Sequence, residues 1–411
     1  MSRLRRALAA HLSGLPTTFW WLWAGVLVNS LATFVFPFLA LYLTSRGVDA
    51  QRTGLVVSLF GAGVMAGGPV AGVLADRVGR RPTILAALLG SASAATCLAF
   101  LHAPLLVGAA VLAFGLCCGM ANPTLAATIA DVIPREGRPR AFGLLYWANN
   151  FGTGFSAVVG GAIASRSWLG LFLADAATTA ICALLLWRRV PETRPSVEAG
   201  AAGAVTSARG YSTLLRDRHF LAFFAVQLAF LVVFHQFQLA LPIALARQGL
   251  SPAHYGRILA VNCALIVLVQ PWAGRFLQRF DRAHVLAVAA LLVGAGYGAY
   301  RPCTTELQFA LATAVWSLGE IAGLPTALAV VADLAPADLR GRYQGTYSLS
   351  FGIAMMAAPI VGGAMLDRFG PDALWSACLF AGVAVAAAQL AIGRARRRRA
   401  CAAPGEPAAA P

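Results

Sequence analysis

Apolar stretches of 20 or more residues, separated by short polar breaks, recur twelve times along the chain. They cover roughly 17–44, 52–75, 82–101, 104–130, 140–164 and 168–188, then 219–246, 254–277, 283–300, 306–332, 342–366 and 372–393. About 20 apolar residues in an α-helix cross the hydrocarbon core of a bilayer. A barrel strand needs only about 10 residues of alternating character. Long unbroken apolar runs therefore predict spanning helices, the form in which every backbone group is satisfied within its own segment. The expected architecture is an all-α membrane protein with twelve transmembrane helices.

The pattern also repeats. Asp131, Pro134, Arg138, Arg140 and Gly143 recur 202 positions later as Asp333, Pro336, Arg340, Arg342 and Gly345. The same shift carries Pro123-Thr124 onto Pro325-Thr326, and Gly160-Gly161 onto Gly362-Gly363. It also carries Pro69, Ala71, Gly72 and Arg77 onto Pro271, Ala273, Gly274 and Arg279. A single offset held through several ungapped blocks makes the chain two similar halves of six spans. The expected organisation is an N-terminal six-helix bundle over 1–189 and a linker over 190–217. A second six-helix bundle follows over 218–393, then a basic, Ala/Pro-rich tail over 394–411. The linker reads as flexible from its Ala, Gly, Ser and Thr content.

Composition and charge fit a membrane setting. Hydrophobic residues make up 59% and charged residues 12% of the 411, about half the charge of an ordinary soluble domain. The chain has no lysine, and its 32 basic residues are all arginine. With both termini and the even-numbered loops on one side, 25 arginines fall there. Arg46, Arg52, Arg166, Arg247, Arg257, Arg301 and Arg368 fall on the other. The positive-inside rule then predicts cytoplasmic termini. The net charge of +16 follows from topology, so no nucleic-acid partner is expected. Arg396–Arg399 could meet anionic headgroups. The basic, amphipathic Ser2–Leu15 reads as a retained lead-in rather than a cleaved peptide. An arginine-only, Ala-rich composition points to a high-GC bacterial source and hence to a bacterial inner membrane. The eight cysteines are scattered without ligand-like spacing, so neither a disulfide framework nor a metal site is expected. No G-x-x-x-x-G-K-[ST] loop is present, so ATP is not expected to drive the protein. With no nucleophile–base constellation either, no enzyme is expected.

The turn after the second span carries the most specific motif, Gly72-Val-Leu-Ala-Asp76-Arg77-Val-Gly79-Arg80-Arg81. It resembles the G-x-L-A-D-R-x-G-R-[RK] signature between spans two and three of the major facilitator superfamily. Val190-Pro191-Glu192-Thr193 is similar to that family's usual exit from its first half. The resemblance covers the whole chain. It implies two pseudo-symmetric six-helix bundles and alternating access to a small-molecule substrate, with a monomer as the default. It also implies a cytoplasmic gate. In that gate Asp76 would face the start of span eleven at Arg340, an anion at a positive helix end, and Arg80 would pair with Asp131. Gln278 stands where a second copy of Asp76 would fall, so one strong latch is expected, favouring the outward-open state.

Polar groups inside spans are costly in hydrocarbon and are therefore functional suspects. Glu320, midway along span ten, is the leading candidate for proton coupling, followed by Asp175 in span six and His235 in span seven. Each of these also has a structural reading, as a hydrogen-bonded core residue. In the family's arrangement spans 1, 4, 7 and 10 line the cavity, with 2, 5, 8 and 11 beside them. By that analogy Asn29, Asn122, Gln236, Trp316 and Glu320 would share one pocket, with Trp147, Asn150 and Asn262 on flanking helices. Any single amide could equally be interhelical glue.

The chain departs from the family's drug–proton exporters in three places. Span one has Asn29 rather than an acid, position 115 is glycine rather than arginine, and Ala157 replaces a proline that the repeat keeps as Pro359. The expectation is proton-driven efflux of a small amphiphilic compound by a drug:proton antiporter-like exporter, with the proton gradient as energy source and no cofactor. Facilitated or proton-coupled uptake of a sugar, nucleoside or other polar metabolite is one alternative. A non-transporting membrane sensor is another.

Overall fold

The computed structural model describes residues 15–31, 33–134, 137–193, 213–336 and 339–402. Every regular element among them is helical. Spans 2 to 6 are Ala50–Arg77, Arg80–Phe100, Pro104–Val132, Arg138–Ala164 and Trp168–Arg189. Spans 8 to 11 are Pro252–Leu277, Arg282–Gly298, Glu306–Leu334 and Arg340–Arg368, and span 12 starts the helix Gly370–Ala402. Spans 1 and 7 are each built from more than one helix. Among the described residues, ten of the twelve are long and apolar enough to cross a membrane; Arg282–Gly298 is apolar but only 17 residues long. Most of the linker, residues 194–212, and the tail beyond 402 lie outside the described residues, as does Ser2–Gly14; so do the side chains of Arg396–Arg399.

Hydropathy alone predicts spans 1 and 7 as continuous helices, and both are broken. Span 1 runs Thr17–Ser30, then Val35–Ser45. Span 7 runs Arg218–Phe234, a 3-10 turn at His235–Gln238, then Ala240–Arg247. Proline accounts for both breaks. Its ring clashes with the carbonyl four residues earlier and it donates no N–H. Pro37 therefore disrupts the helix at Thr33, and Pro242 does so at Gln238. The groups set free are taken up elsewhere. The Thr33 carbonyl accepts from Ser156 Oγ at 2.8 Å. The Phe234 and Phe237 carbonyls accept from the Tyr297 and Tyr255 hydroxyls at 2.5 and 3.1 Å.

Two extensive helix pairs join the halves, span 2 with span 11 and span 5 with span 8, and the second helices of spans 1 and 7 add a smaller contact. At the end away from the linker the two extensive pairs pack backbone to backbone. A Cβ on Gly54 would land on the Pro359 carbonyl, and one on Gly256 on the Ala157 carbonyl. One on Gly363 would strike Ala50, and one on Gly161 would strike Pro252. Each of these glycine contacts has its partner 202 residues away in the other seam, so the repeat is carried into the packing. Only glycine permits such an approach. At the linker end the same helices diverge. A Cβ added at Gly72, Gly143, Gly274 or Gly345 would meet nothing within 4 Å. The molecule is thus closed at one end and open at the linker end.

Candidate functional site

Moving from the closed end toward the linker, the span 5–span 8 seam is still tight at Gly154, where a Cβ would lie 2.8 Å from the Cys263 Cβ. At Gly143 and Gly274 it is open. At the level of the last tight contact Asn262, the neighbour of Cys263 on span 8, reaches to span 10 within the second bundle. Its Nδ2 donates to Glu320 Oε2 at 2.7 Å and to Ser317 Oγ at 3.0 Å. The Ser317 hydroxyl in turn donates to the Thr313 carbonyl at 2.7 Å. Tyr146 and Cys263 lie within electrostatic reach of Glu320, and Asn150 lines the same seam beside Cys263. Glu320 and Asn262, named separately from the sequence, therefore meet here, while Asn150 stays on span 5 with its amide on the Tyr146 carbonyl. Ser317 and Tyr146 join them; nothing in the sequence set them apart from other span residues.

The repeat shows how one-sided this site is. The 202-residue shift places Phe60 opposite Asn262, Gly115 opposite Ser317 and Cys118 opposite Glu320. In the first half that position is apolar, with Phe60 stacked on Phe36 at a centroid distance of 3.9 Å. The carboxyl belongs to one half alone.

The other candidates lie elsewhere, and the five expected to share a pocket do not do so. Trp316 is 1% exposed. It stacks on Tyr297 and Phe237 inside the second bundle, with its indole N–H on the Tyr300 hydroxyl at 2.7 Å. Gln236 is buried against span 11 and donates to the Ala358 carbonyl at 3.2 Å. Asn29 turns toward span 6, accepting from the Thr179 hydroxyl at 3.4 Å, while Asn122 is exposed on span 4. Trp147 stacks on Phe151 along an exposed aromatic stripe of span 5. His235 sits in the 3-10 turn, its Nδ1 2.7 Å from the Leu231 carbonyl and its ring against Phe234 and Phe237. For Gln236 and His235 the cause is the break in span 7, whose 3-10 turn holds both of them buried.

Asp175 is 3% exposed and accepts two backbone N–H bonds, from Phe34 at 2.7 Å and Val35 at 2.9 Å. These are orphan donors at the start of the second helix of span 1, so Asp175 caps the break that Pro37 creates.

At the linker end the motif has a local structure. Gly79 adopts φ +118°, a backbone conformation that favours glycine. Beneath it the Glu192 carboxylate accepts from the Arg80 and Arg81 amides at 2.8 and 3.1 Å, capping span 3. The Arg81 guanidinium also donates to the Trp187 carbonyl. Arg80 bridges Asp76 at 2.9 Å and Asp131 at 3.2 Å. The Asp76 side chain is 74% exposed, and its expected contact with the start of span eleven is not made here. Arg77 ends span 2, and exposed Arg340 begins span 11, across the opening. The helix ends that would meet are apart because the molecule is open on this side. Arg282 pairs with Asp333, the repeat copy of Arg80 with Asp131.

The closed end carries latches that belong to no sequence motif. Asp367 Oδ2 accepts from the Gln51 amide at 2.7 Å, joining the end of span 11 to the start of span 2. Ser165 Oγ accepts from the Ala253 amide at 3.2 Å, joining span 5 to span 8. The 202-residue shift carries Ser165 onto Asp367 and Gln51 onto Ala253, so this is one device in two copies, one charged and one neutral. Arg247 adds a bond to Asp367 at 3.5 Å.

Two six-span halves joined by seams 2–11 and 5–8, with a carboxyl beside one seam, define a membrane transporter. The chain belongs to the Major Facilitator Superfamily, whose family model matches residues 22–261 and again 237–411. It is 26% identical to the Na(+), Li(+), K(+)/H(+) antiporter of Planococcus maritimus, over 81% of this chain and 85% of that one. It is 23% identical to the multidrug resistance protein MdtH of Escherichia coli, over 81% and 82%. Among solved structures, a point mutant of the nucleoside transporter NupG superposes with a TM-score of 0.76 at 16% identity, covering 90% of this chain and 99% of that one. The POT family transporter PepTSo gives 0.77 at 13%, covering 94% and 99%. These likenesses establish the fold and a multi-pass bacterial membrane protein.

Proposed function

We propose that the protein exports a small amphiphilic compound in exchange for protons, with Glu320 as the coupling acid. The observation that carries this reading is the Glu320–Asn262 contact, which lies beside the last tight contact of the span 5–span 8 seam, on the side from which the seam opens toward Gly143 and Gly274. A carboxyl there can exchange its proton with water on one face of the membrane and, after the seam rearranges, on the other. It stands at the edge of an otherwise apolar interior, which suits a lipophilic, weakly basic or cationic substrate. A polyphosphate or strongly anionic substrate would call for buried arginine clamps. Likeness to a multidrug resistance protein and a cation/proton antiporter supports exchange over uptake. With the arginine-rich linker end in the cytoplasm, the conformation seen is inward-open. The energy source is the proton gradient, and the working unit is a monomer without ATP or another cofactor.

Alkali-cation/proton exchange is the second reading, favoured by the relative from Planococcus maritimus. Purified protein in liposomes, loaded with a pH dye and offered lipophilic cations, neutral drugs, Na+, Li+ and K+, separates the two. Proton movement driven by an organic cation and lost in Glu320→Gln supports drug exchange. Movement driven only by alkali cations selects the second reading. Substrate flux with no proton signal in either protein would overturn both.

A further inference from the structure

At the closed end, on the outer flank of the first bundle, a cavity of about 880 Å3 lies between the span 1–span 2 turn and the span 3–span 4 turn. Its polar lining includes Arg46, Arg52 and His102, its deeper lining includes Leu43, Val56 and Val107, and among the described residues no acid lines it. Arg46 is fixed in place. Its guanidinium lies 4.7 Å over the Tyr42 ring, and one N–H donates to the Leu101 carbonyl at the end of span 3. Arg52 is 80% exposed and pairs at 3.2 Å with Asp49, which faces a different cavity. Beside the opening, Phe100, Leu105 and Leu106 are 59%, 84% and 52% exposed. Apolar side chains so exposed at a span end face hydrocarbon.

The repeat supplies an internal control. The 202-residue shift replaces Arg46 by Gln248, Arg52 by His254, His102 by Thr304 and Pro104 by Glu306. In the second half Glu306 takes a bidentate bond from Arg257 at 2.6 and 2.8 Å, and His254 lies 3.8 Å away. In the first half Asp49 pairs with Arg52 and leaves the Arg46 charge without an acid, whereas in the second half Glu306 offsets Arg257, Gln248 replaces Arg46 and Ser251 replaces Asp49. Turn geometry does not explain the difference, because Gly47 and Gly249 adopt matching φ values of +80° and +76°.

We propose that this cavity binds the phosphodiester headgroup of an anionic phospholipid from the leaflet at the closed end. The guanidiniums take the phosphate oxygens, and the acyl chains leave past Leu105 and Leu106. Cationic rim, apolar floor and a lateral opening at the depth of the membrane surface match the three parts of such a lipid. A soluble phosphate would need only the first.

Native mass spectrometry of the full-length protein, with phosphatidylglycerol and phosphatidylcholine offered in equal amounts, tests this. Wild type is expected to retain phosphatidylglycerol with at least fivefold preference. Arg46→Gln/Arg52→Gln should remove that preference, and Arg301→Gln, an exposed arginine of the same end outside the cavity, should not. Pro104→Glu copies the acid of the second half without touching either arginine. It should also abolish the preference, which keeps the test decisive if the double variant folds poorly. Unchanged preference in Pro104→Glu, or equal loss in Arg301→Gln, would overturn the proposal. So would displacement of the lipid by millimolar inorganic phosphate, which would make the cavity a soluble-anion site.

Discussion

Two carboxyls inside the spans show how far a residue's type can be read and where its surroundings take over. Glu320 and Asp175 both stand out in the sequence, because acids are rare in hydrocarbon. Their partners are invisible there. Asp175 receives the amides of Phe34 and Val35, some 140 positions away, whereas Glu320 receives the single side-chain amide of Asn262. The first is a helix cap and the second a carboxyl beside a seam. Asp175→Asn should therefore cost stability, about 1–3 kcal/mol for losing charged acceptance of two buried N–H groups, read as a lower melting temperature in detergent. Transport per folded molecule should be largely retained. Glu320→Gln should do the opposite, leaving the melting temperature within a few degrees and reducing proton-coupled flux at least tenfold. If Asp175→Asn lost coupling at unchanged stability, the two roles would have to be exchanged. Trp316 marks the limit of residue-level reading. A tryptophan next to an acid on a cavity helix looks like a substrate contact, yet its ring is buried between Tyr297 and Phe237.

Among elements, hydropathy places all twelve spans because it sums over about 20 residues and tolerates local irregularity. The breaks in spans 1 and 7 escape it for the same reason. Proline alone is no guide, since Pro69, Pro123, Pro271, Pro325 and Pro359 all lie inside unbroken helices. What distinguishes Pro37 and Pro242 is that groups from other helices are ready for the backbone they release: Asp175 and Ser156 for span 1, Tyr297 and Tyr255 for span 7. Those partners are long-range, so no local pattern encodes them. Pro242→Ala restores a donor and removes the clash, and span 7 should become more continuous. Amides of 235–242 should gain at least tenfold hydrogen-exchange protection while transport falls, because a straightened span 7 would no longer hinge. Unchanged protection would show that the tyrosine contacts, rather than the proline, hold the break. Gly79 makes the complementary case, where sequence and structure agree locally. A Cβ there would face both the φ of +118° and the Glu192 carboxylate, so Gly79→Ala should destabilise by about 1–3 kcal/mol.

For the whole molecule, the 202-residue offset is the most informative feature of the chain, because it gives the two halves, while the pairing of span 2 with span 11 and of span 5 with span 8 is visible only in the structure. The latch motif predicts an outward-open state, whereas the linker end is the open one. The motif serves one of two arrangements, and one sequence must encode both the closed and the open form of each end. The first-bundle motif lies at the linker end, yet the hydrogen bonds found between the halves among the described residues are at the other end. Asp367 on the Gln51 amide and Ser165 on the Ala253 amide clamp the two seams there in matching positions. The charged copy should dominate, because hydrogen bonds to ionised groups are about twice as strong as neutral ones. Removing about 1.4 kcal/mol from one conformation changes its population ratio tenfold, so Asp367→Asn alone should shift the equilibrium measurably and Ser165→Ala much less. Spin labels at Val73 and Leu349, exposed on spans 2 and 11 at the open side, would report it in bilayers. Wild type should favour the long distance. Asp367→Asn should populate a shorter one as the linker end closes, and Asp367→Asn/Ser165→Ala should extend that shift. If the long distance persisted in the double variant, the glycine-mediated packing of the seams, rather than the two latches, would set the resting state.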